Sequence, residues 1–557
     1  MSLQNSLKPY LLSMVLIILA SIMVYFTNGR SLLGIDDANI YMVYMRNFSD
    51  GYGFVYNIGG DKVQGFTSLL WTLIGSLMFT ISSQPEILLL ILNTLIVTFA
   101  LGQIIIYIQK NLTRIPENKW IYILLFFGFL LVIPGYFEWT IFSLLETGLW
   151  SALLTGFTLN ILNDSKRKDL KAVDPLFAVM LVISLITRPE SMLWGLFFLT
   201  AKAFLYIKSK SFTPKSFIAF GTYLLIFSIG LAIVLTWRTI YFGYPLPNTF
   251  YAKVSEDIFS NLFYGIFYLY RIFLDNPLMI LIIFISIYFS YKSIIKNKIK
   301  FDFDLIFLTL ILGVTLFIPI YTGGDHFTYS RFLQPTLPLI YLLLMYCLDT
   351  YGEKVSFKAA GTAIAFVSFI PNANLYENIL YQTSPLAHEW GLAKGGRLEG
   401  ERLNEFFNEL DTLPSQGVLT AGGVAYSYRG ETNDLLGLNN EEMAHADEDR
   451  DLEGPKNHSG FDKEVFYNQE PDLFFLSGGF YDESEAEYLT SLEVGDFSAE
   501  VFKNIYEDEK FKEMYSAVLI DNPNLNYSLA VFASRDFLDE LKETDFIIKE
   551  LSVTVDE

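Results

Sequence analysis

Cysteine is almost absent. Cys347 is the single one in 557 residues, so neither an intrachain disulfide nor a multi-cysteine zinc site can form. Histidine is nearly as scarce, and His388, His445 and His458 fall without metal-ligand spacing, as surface or structural residues do. Charge is thin as well: 18% Asp, Glu, Lys and Arg stand against 52% hydrophobic and 16% aromatic residues. That balance excludes a wholly soluble protein and a wholly disordered one. The net charge of −21 is also unevenly spread, with 20 acidic and 26 basic residues up to Ile370 but 40 acidic and 13 basic from Pro371 onward. Phosphates would repel so acidic a water-facing portion, which excludes nucleic acid as the main partner. Two solvents are implied, lipid first and water second. No internal repeat of about 20–50 residues is present to suggest a solenoid.

What the chain has in abundance is apolar runs. A helix crosses a bilayer with about 20 mostly apolar residues, and eleven candidate spans occur near 10–27, 87–108, 120–136, 141–162, 174–188, 191–207, 217–240, 277–291, 303–321, 332–348 and 357–370. The first follows Lys8 and lacks a small-residue cleavage site before Thr27, so it reads as a retained anchor, with a cleaved signal as the alternative. Basic residues cluster at Lys110/Arg114/Lys119, Lys166/Arg167/Lys168/Lys171, Lys202/Lys208/Lys210/Lys215, Lys292/Lys296/Lys298/Lys300 and Lys354/Lys358. Eleven crossings with the N-terminus inside place every cluster in the cytoplasm. This requires that 67–81, short and followed by Ser82, Ser83 and Pro85, lie in or dip into the outer interface instead of crossing.

The expected fold is therefore a polytopic α-helical membrane domain over 1–370, with a first extracytoplasmic loop at 28–66, and an acidic soluble extracytoplasmic α/β domain over 371–557. Its expected location is the cytoplasmic (inner) membrane. In the tail, Gly417–Gly422 and Asp472–Ser477 read as short buried strands ended by glycine pairs, and Arg397–Leu410 as an amphipathic helix. The acidic runs Asp447–Asp449 and Glu483–Glu487 read as solvated faces.

Asp36 and Asp37 stand about ten residues past the first span, after Gly34. Adjacent carboxylates near apolar surface are costly unless paired or functional. Low-dielectric surroundings raise a carboxyl pKa toward neutrality, which suits a general base acting on a sugar hydroxyl. Capping of a helix by Asp36 is the structural alternative.

The run that begins at Asp36 continues through Arg46, Gly51–Asn57 and Gln64–Trp71. It resembles the first extracytoplasmic loop of bacterial GT-C glycosyltransferases, multi-spanning enzymes that take a sugar from a polyprenyl-phosphate carrier. Within them it is most similar to the terminal β-(1→2)-arabinofuranosyltransferase-like group. Leu144–Gly148 is similar to that family's acidic motif, although Leu144 stands where its glycine is expected. Thr187–Glu190, Pro247–Lys253, Gly323–Phe327 and Arg331–Pro335 also look like family segments. In the tail, Ala421–Tyr426, Asn433–Leu438 and Pro471-Asp472 resemble its soluble domain.

The resemblance implies a GT-C-like fold, a polyprenyl-phosphate-sugar donor and a glycan or lipid acceptor at the membrane. The family's first-loop base maps onto Asp36 or Asp37, with Asp36 preferred and Asp37 assisting. Donor phosphate would meet Arg331 and Lys253 first, then Arg188, with His326 joining when protonated. Arg238 is a further cation beside a span, and snorkelling to headgroups is the alternative for each of these. Asp325, Glu146, Tyr41 and Asn248 are the candidates for sugar or acceptor contacts, and Glu146 has helix capping or arginine orientation as its alternatives. Asp325 and His326 provide two adjacent ligand types on a glycine loop, a thin basis for a divalent cation, so a metal stays open. Tyr44, Tyr52, Tyr56, Trp71 and Trp139 fit either sugar stacking or an interfacial belt. Gly51, Gly53, Gly59 and Gly60 read as turn glycines. A transporter or flippase of lipid-linked glycans is the alternative function, disfavoured because the spans carry little central charge. A silent membrane anchor is disfavoured by the polar density of the first loop.

Overall fold

The structure is a computed structural model that describes residues 3–555 except 168–169, 171–172, 209–213, 254–256, 295–300, 370, 373–374, 382–383, 447–457 and 459. Lys168, Lys171, Lys210, Lys296, Lys298, Lys300 and the Asp447–Asp449 run lie outside the described residues. The chain forms two compact units, one comprising Met1–Gly34, Ser68–Ile240 and Ile258–His388, the other Ile35–Thr67, Tyr241–Asp257 and Glu389–Glu557. The division read from composition, at 370/371, differs from this one. Composition follows the solvent each segment meets, whereas packing assigns two loops that interrupt the apolar runs to the same unit as the tail.

In the first unit every apolar run noted above contains a helix. Leu3–Thr27, Pro85–Asn111, Lys119–Val132, Thr147–Asp164 and Pro175–Leu185 come first, followed by Ser191–Lys208, Pro214–Phe242, Leu278–Ile294, Phe303–Thr322, Leu337–Tyr351 and Phe357–Phe369. Among the described residues, five helices are long and apolar enough to cross a membrane by themselves: Leu7–Thr27, Pro85–Asn111, Ser191–Lys208, Ser216–Phe242 and Phe303–Thr322. The other helices among the eleven are shorter or less apolar; Pro175–Leu185, with 11 residues, rises about 16 Å. Among the long helices one was not anticipated, Ile258–Asp275, which meets Leu278–Ile294 at a bend of 104°. Tyrosines, Asn261 and Arg271 dilute its hydropathy, yet its buried residues Asn261, Gly265, Tyr268 and Ile272 recur at the 3.6-residue period of an amphipathic helix. The 13-residue Leu69–Ile81 helix rises about 20 Å, short of the ~30 Å hydrocarbon core.

Large apolar side chains point outward on these helices: Ile240 and Phe366 are each 80% exposed and Phe259 is 77% exposed. Water would penalise so much apolar area, and lipid does not. The protein is a membrane protein. Two polar layers bound the apolar stretch of the Thr147–Asp164 helix, whose 18 residues rise about 27 Å, close to the hydrocarbon thickness. At its end Asp164 pairs with Arg167 at 2.7 Å and with the buried Lys202. Lys202 also donates to Asn160 at 2.8 Å, and Lys166 lies 3.7 Å from Asp304. At its start stand Glu146, Arg188 and Glu190.

The second unit is built on a six-stranded mixed sheet in the order β2-β1-β3-β6-β5-β7, with a separate parallel pair β4-β8. The strands are β1 (Gln416–Val418), β2 (Thr432–Asp434), β3 (Leu473–Asp482), β4 (Ser491–Val494), β5 (Tyr515–Asp521), β6 (Tyr527–Ser534), β7 (Ile547–Glu550) and β8 (Ser552–Val555). Strands β5 and β6 are near-continuous apolar runs buried almost throughout, as central strands covered on both faces are. Between them Asn522 accepts from the Asn524 N–H at 2.9 Å, a side-chain turn that reverses the chain. Two sequence expectations need correction here. Gly478 and Gly479 do not end their strand but lie within β3, with φ of 114° and 141°, where the register with β6 shifts. Such a bulge needs the left-handed conformations glycine tolerates. The strand at 416–418 also stops short of Gly422, and Gly423–Ser427 is a helical turn. The expected helix at 397–410 runs Ala387–Phe406. The Glu483–Glu487 acids are exposed, with Ala486 alone buried among them.

Candidate active site

In the second unit the Asp36–Ser49 helix begins with the aspartate pair. Ile35 is the capping residue and makes no side-chain cap, so the capping role open to Asp36 is not the one it takes. Its carboxylate accepts from the Gly422 N–H at 2.9 Å through Oδ2 and from the Gly423 N–H at 2.7 Å through Oδ1. Burial pushes this carboxyl up to about 6, with the two N–H bonds opposing the rise and the charges of Asp37 and Asp434 adding to it. Asp37 is half-buried and lies 3.8 Å from the Lys253 ammonium.

Side chains of the loop and the tail bond across this unit. Asn57 donates to the Thr432 carbonyl at 3.0 Å and accepts from the Thr432 N–H at 3.1 Å, pairing with the edge strand β2 as another strand would. Tyr56 donates to the Ala421 carbonyl at 2.5 Å and Arg46 to the Tyr426 carbonyl at 2.6 Å. Arg397 donates to Asn39 at 2.6 Å and lies 3.9 Å over the Tyr426 ring. Tyr44 donates to Asn439, whose N–H groups hold Asp434 at 2.8 Å.

The first unit carries a second cluster. Arg188 is gripped by Glu146 at 2.6 Å and Glu190 at 2.7 Å. Burial alone would raise the Glu190 carboxyl, but the Arg188 guanidinium holds it below the usual range. Arg331 donates to Asp325 at 2.9 Å and stacks at 4.4 Å from Phe327 and 5.7 Å from Trp139 and Phe332. Arg188, Glu190 and Arg331 line one pocket with Thr147, Trp150 and Trp194. Within this cluster Glu146 Oε2 and Thr147 Oγ1 are buried without a hydrogen-bond partner. Strain marks the same region: Leu144, Tyr329 and Ser330 have φ of 60°, 56° and 51°, and residues Glu138–Phe142 form a π-helical turn. Left-handed bulky residues and π-turns concentrate at functional sites.

The candidates thus fall into two groups, Asp36, Asp37 and Lys253 in one unit and Glu146, Arg188, Asp325 and Arg331 in the other. His326 is partly buried and packs 4.2 Å from Phe327. Tyr41 is buried, its hydroxyl accepting from Thr67 N–H at 3.0 Å, and Asn248 is buried with its amide on the Gly437 carbonyl at 2.7 Å. Both therefore sit in packing instead of at an open surface. Arg238 is buried as well, at 1% exposed. Tyr44, Tyr56, Trp71 and Trp139 are also buried; an interfacial belt would leave them at the surface, and of that set Tyr52 is exposed. For a metal, the carboxylate of Asp325 already holds Arg331, and the described residues contain no group of three or more His, Cys, Asp or Glu that could hold one. Sequence reasoning missed Glu190, Trp150, Trp194 and Arg397. The Thr187–Glu190 segment carried the signal for the first; nothing local marks the others.

No family model matches the chain, and no curated protein matches it. Among solved structures it is similar to the Archaeoglobus fulgidus oligosaccharyltransferase in the apo form, at 9% identity and a TM-score of 0.47, over 95% of this chain and 74% of that one. The same enzyme in complex with Zn and sulfate is similar at 12% identity and a TM-score of 0.40, over 93% and 73%. Function has to be read from the sites themselves.

Proposed function

We propose that the protein is an integral-membrane inverting glycosyltransferase of the GT-C type that transfers a sugar, arabinofuranose by the closest motif resemblance, from a polyprenyl-phosphate carrier to a cell-envelope glycan or lipid. The observation that carries this reading is the buried, N–H-held carboxylate of Asp36 beside Asp37 and Lys253. A carboxyl near 6 is mostly ionised at neutral pH yet basic enough to take a proton. Of its roughly four lone-pair sites two accept N–H groups, leaving others for an acceptor hydroxyl.

In the reaction the hydroxyl proton passes to Asp36 as its oxygen bonds to the anomeric carbon. The carbon–oxygen bond to the carrier phosphate breaks, and the phosphate leaves with the electron pair. The approach from the opposite face inverts the centre, through an oxocarbenium-like state. Arg331 and Arg188, which line a pocket of the first unit with Trp150 and Trp194, are the guanidinium groups proposed to bind a lipid phosphate. Asp37 and Lys253 assist at the base. By the positive-inside rule the Lys166, Arg167 and Lys202 end of the helices is cytoplasmic, which leaves the Glu146–Arg188–Arg331 end on the outer face.

The test is transfer by the full chain in nanodiscs from labelled polyprenyl-phosphate-arabinofuranose, -mannose and -glucose to membrane glycan acceptors. Transfer from at least one, lost in Asp36→Asn, is expected. Absence of transfer from all three, with movement of lipid-linked glycan across proteoliposomes, would replace this reading with the flippase one.

A further inference from the structure

The two hydrogen bonds that Asp36 accepts come from a segment 386 and 387 residues away in sequence. Contact there is at backbone distance. A Cβ on Gly422 would overlap the Asp36 carbonyl and lie 2.8 Å from its Cγ. A Cβ on Gly423 would overlap the Ala393 carbonyl and lie 3.0 Å from the Arg397 N. The next layer repeats the pattern, since a Cβ on Gly396 would meet the Val424 N at 2.8 Å, and one on Gly400 the Tyr428 N and Val424 O at 2.7 Å. Glycines on both sides thus let the Ala387–Phe406 helix press the 422–428 backbone toward Asp36. Gly422 has φ −91° and ψ −73°, a conformation any residue adopts, so space for the aspartate, not backbone freedom, explains glycine there.

We propose that the peptide N–H groups of Gly422 and Gly423 are the positioning elements of the base, so that the acidic tail assembles the working carboxylate of the first loop. The inference rests on Asp36 being the base. Two donors fix both oxygens and hence the plane of the carboxylate, which an unrestrained side chain would lose to rotation about χ2. They also stabilise the ionised form against burial. The charged groups of the adjoining elements are Asp37, Arg46 and Lys253 from the loops, and Arg397 and Asp434 from the tail. Asp37 and Asp434 raise the carboxyl, as burial does. The glycine N–H groups are what opposes them.

Replacing Gly422 or Gly423 with glycolic acid by nonsense suppression turns one donor into an ester oxygen without adding an atom. Isotope-edited difference infrared titration of the full chain in nanodiscs reads the Asp36 carboxyl, identified as the band that Asp36→Asn abolishes. The wild-type midpoint is expected near 6, and each ester should raise it by about one pH unit. Gly422→Ala, which displaces the segment, should move it the same way; should that variant not fold, the esters carry the test. An unmoved midpoint in both esters overturns the positioning role. The transfer assay is read separately: an active Asp36→Asn alongside shifted midpoints removes the base assignment and leaves the N–H contacts, whereas an inactive Asp36→Asn with unmoved midpoints removes the positioning and leaves the base.

Discussion

Asp36→Asn separates activity from stability, and the structure sets the size of each effect. The carboxyl rises from 3.8 to about 6, a difference of about 2 pH units or about 3 kcal/mol. The sign is unfavourable to folding at neutral pH. The unfolded chain releases this proton near 3.8 while the folded chain keeps it to about 6, so the stability this group contributes is full below 3.8 and is lost as pH rises through 6. Asparagine does not titrate, which relieves the protein of that loss. Its amide also places an NH₂ against one of the two glycine N–H groups, and the lost bond costs about 1–3 kcal/mol. The two terms nearly cancel at pH 7, so the variant should unfold within about 2 kcal/mol of wild type there, and below about pH 4 it should be the less stable of the two. Activity has no such compensation, because a missing general base costs about 10²–10⁴-fold. Sugar-transfer rates from pH 5 to 8, with denaturation of the same samples at pH 4 and 7, measure both. Wild-type kcat/KM should fall on the acid side with a midpoint near 6. Transfer by the variant within tenfold of wild type, with that acid limb intact, would refute the reasoning.

Three other substitutions probe the rest of the structure. Arg331→Lys keeps the charge but loses the planar contact with Phe327 and the bond to Asp325, so donor KM should rise about tenfold; an unchanged KM in the transfer assay would exclude Arg331 from the donor site. Glu190→Gln removes the charge of one carboxylate that pairs with Arg188, and should cost about 1–3 kcal/mol at pH 7. Because Arg188 holds the Glu190 carboxyl low, wild type should lose that advantage as pH falls through the carboxylate range, so chemical denaturation at pH 7 and at progressively lower pH should show the two proteins converging. Gly400→Val forces a side chain toward the Tyr428 N and Val424 O and should destabilise the tail by about 1–3 kcal/mol, read by limited proteolysis of the C-terminal region.

The apolar runs were legible because period and hydropathy act locally: each of the eleven contains a helix, and the polar residues at Glu146, Arg188, Asp325 and Arg331 stand out against them. The aspartate pair was legible for the same reason, since two adjacent carboxylates beside apolar sequence require an explanation. The amphipathic Ile258–Asp275 helix was hidden by its tyrosines and Arg271, which lower mean hydropathy without disturbing the buried stripe. In the tail, glycine pairs signalled an interruption but not its kind. Gly478-Gly479 makes a bulge inside a strand, whereas Gly422-Gly423 faces a carboxylate from the far end of the chain.

By itself the sequence determined which segments seek lipid and which seek water, because burial free energy follows side-chain area. Tertiary structure decided that residues 35–67, 241–257 and the tail make one unit, and which of two neighbouring aspartates is buried. Those outcomes depend on backbone N–H groups, which every residue but proline carries alike, so no pattern of side chains announces where they point until the chain has folded.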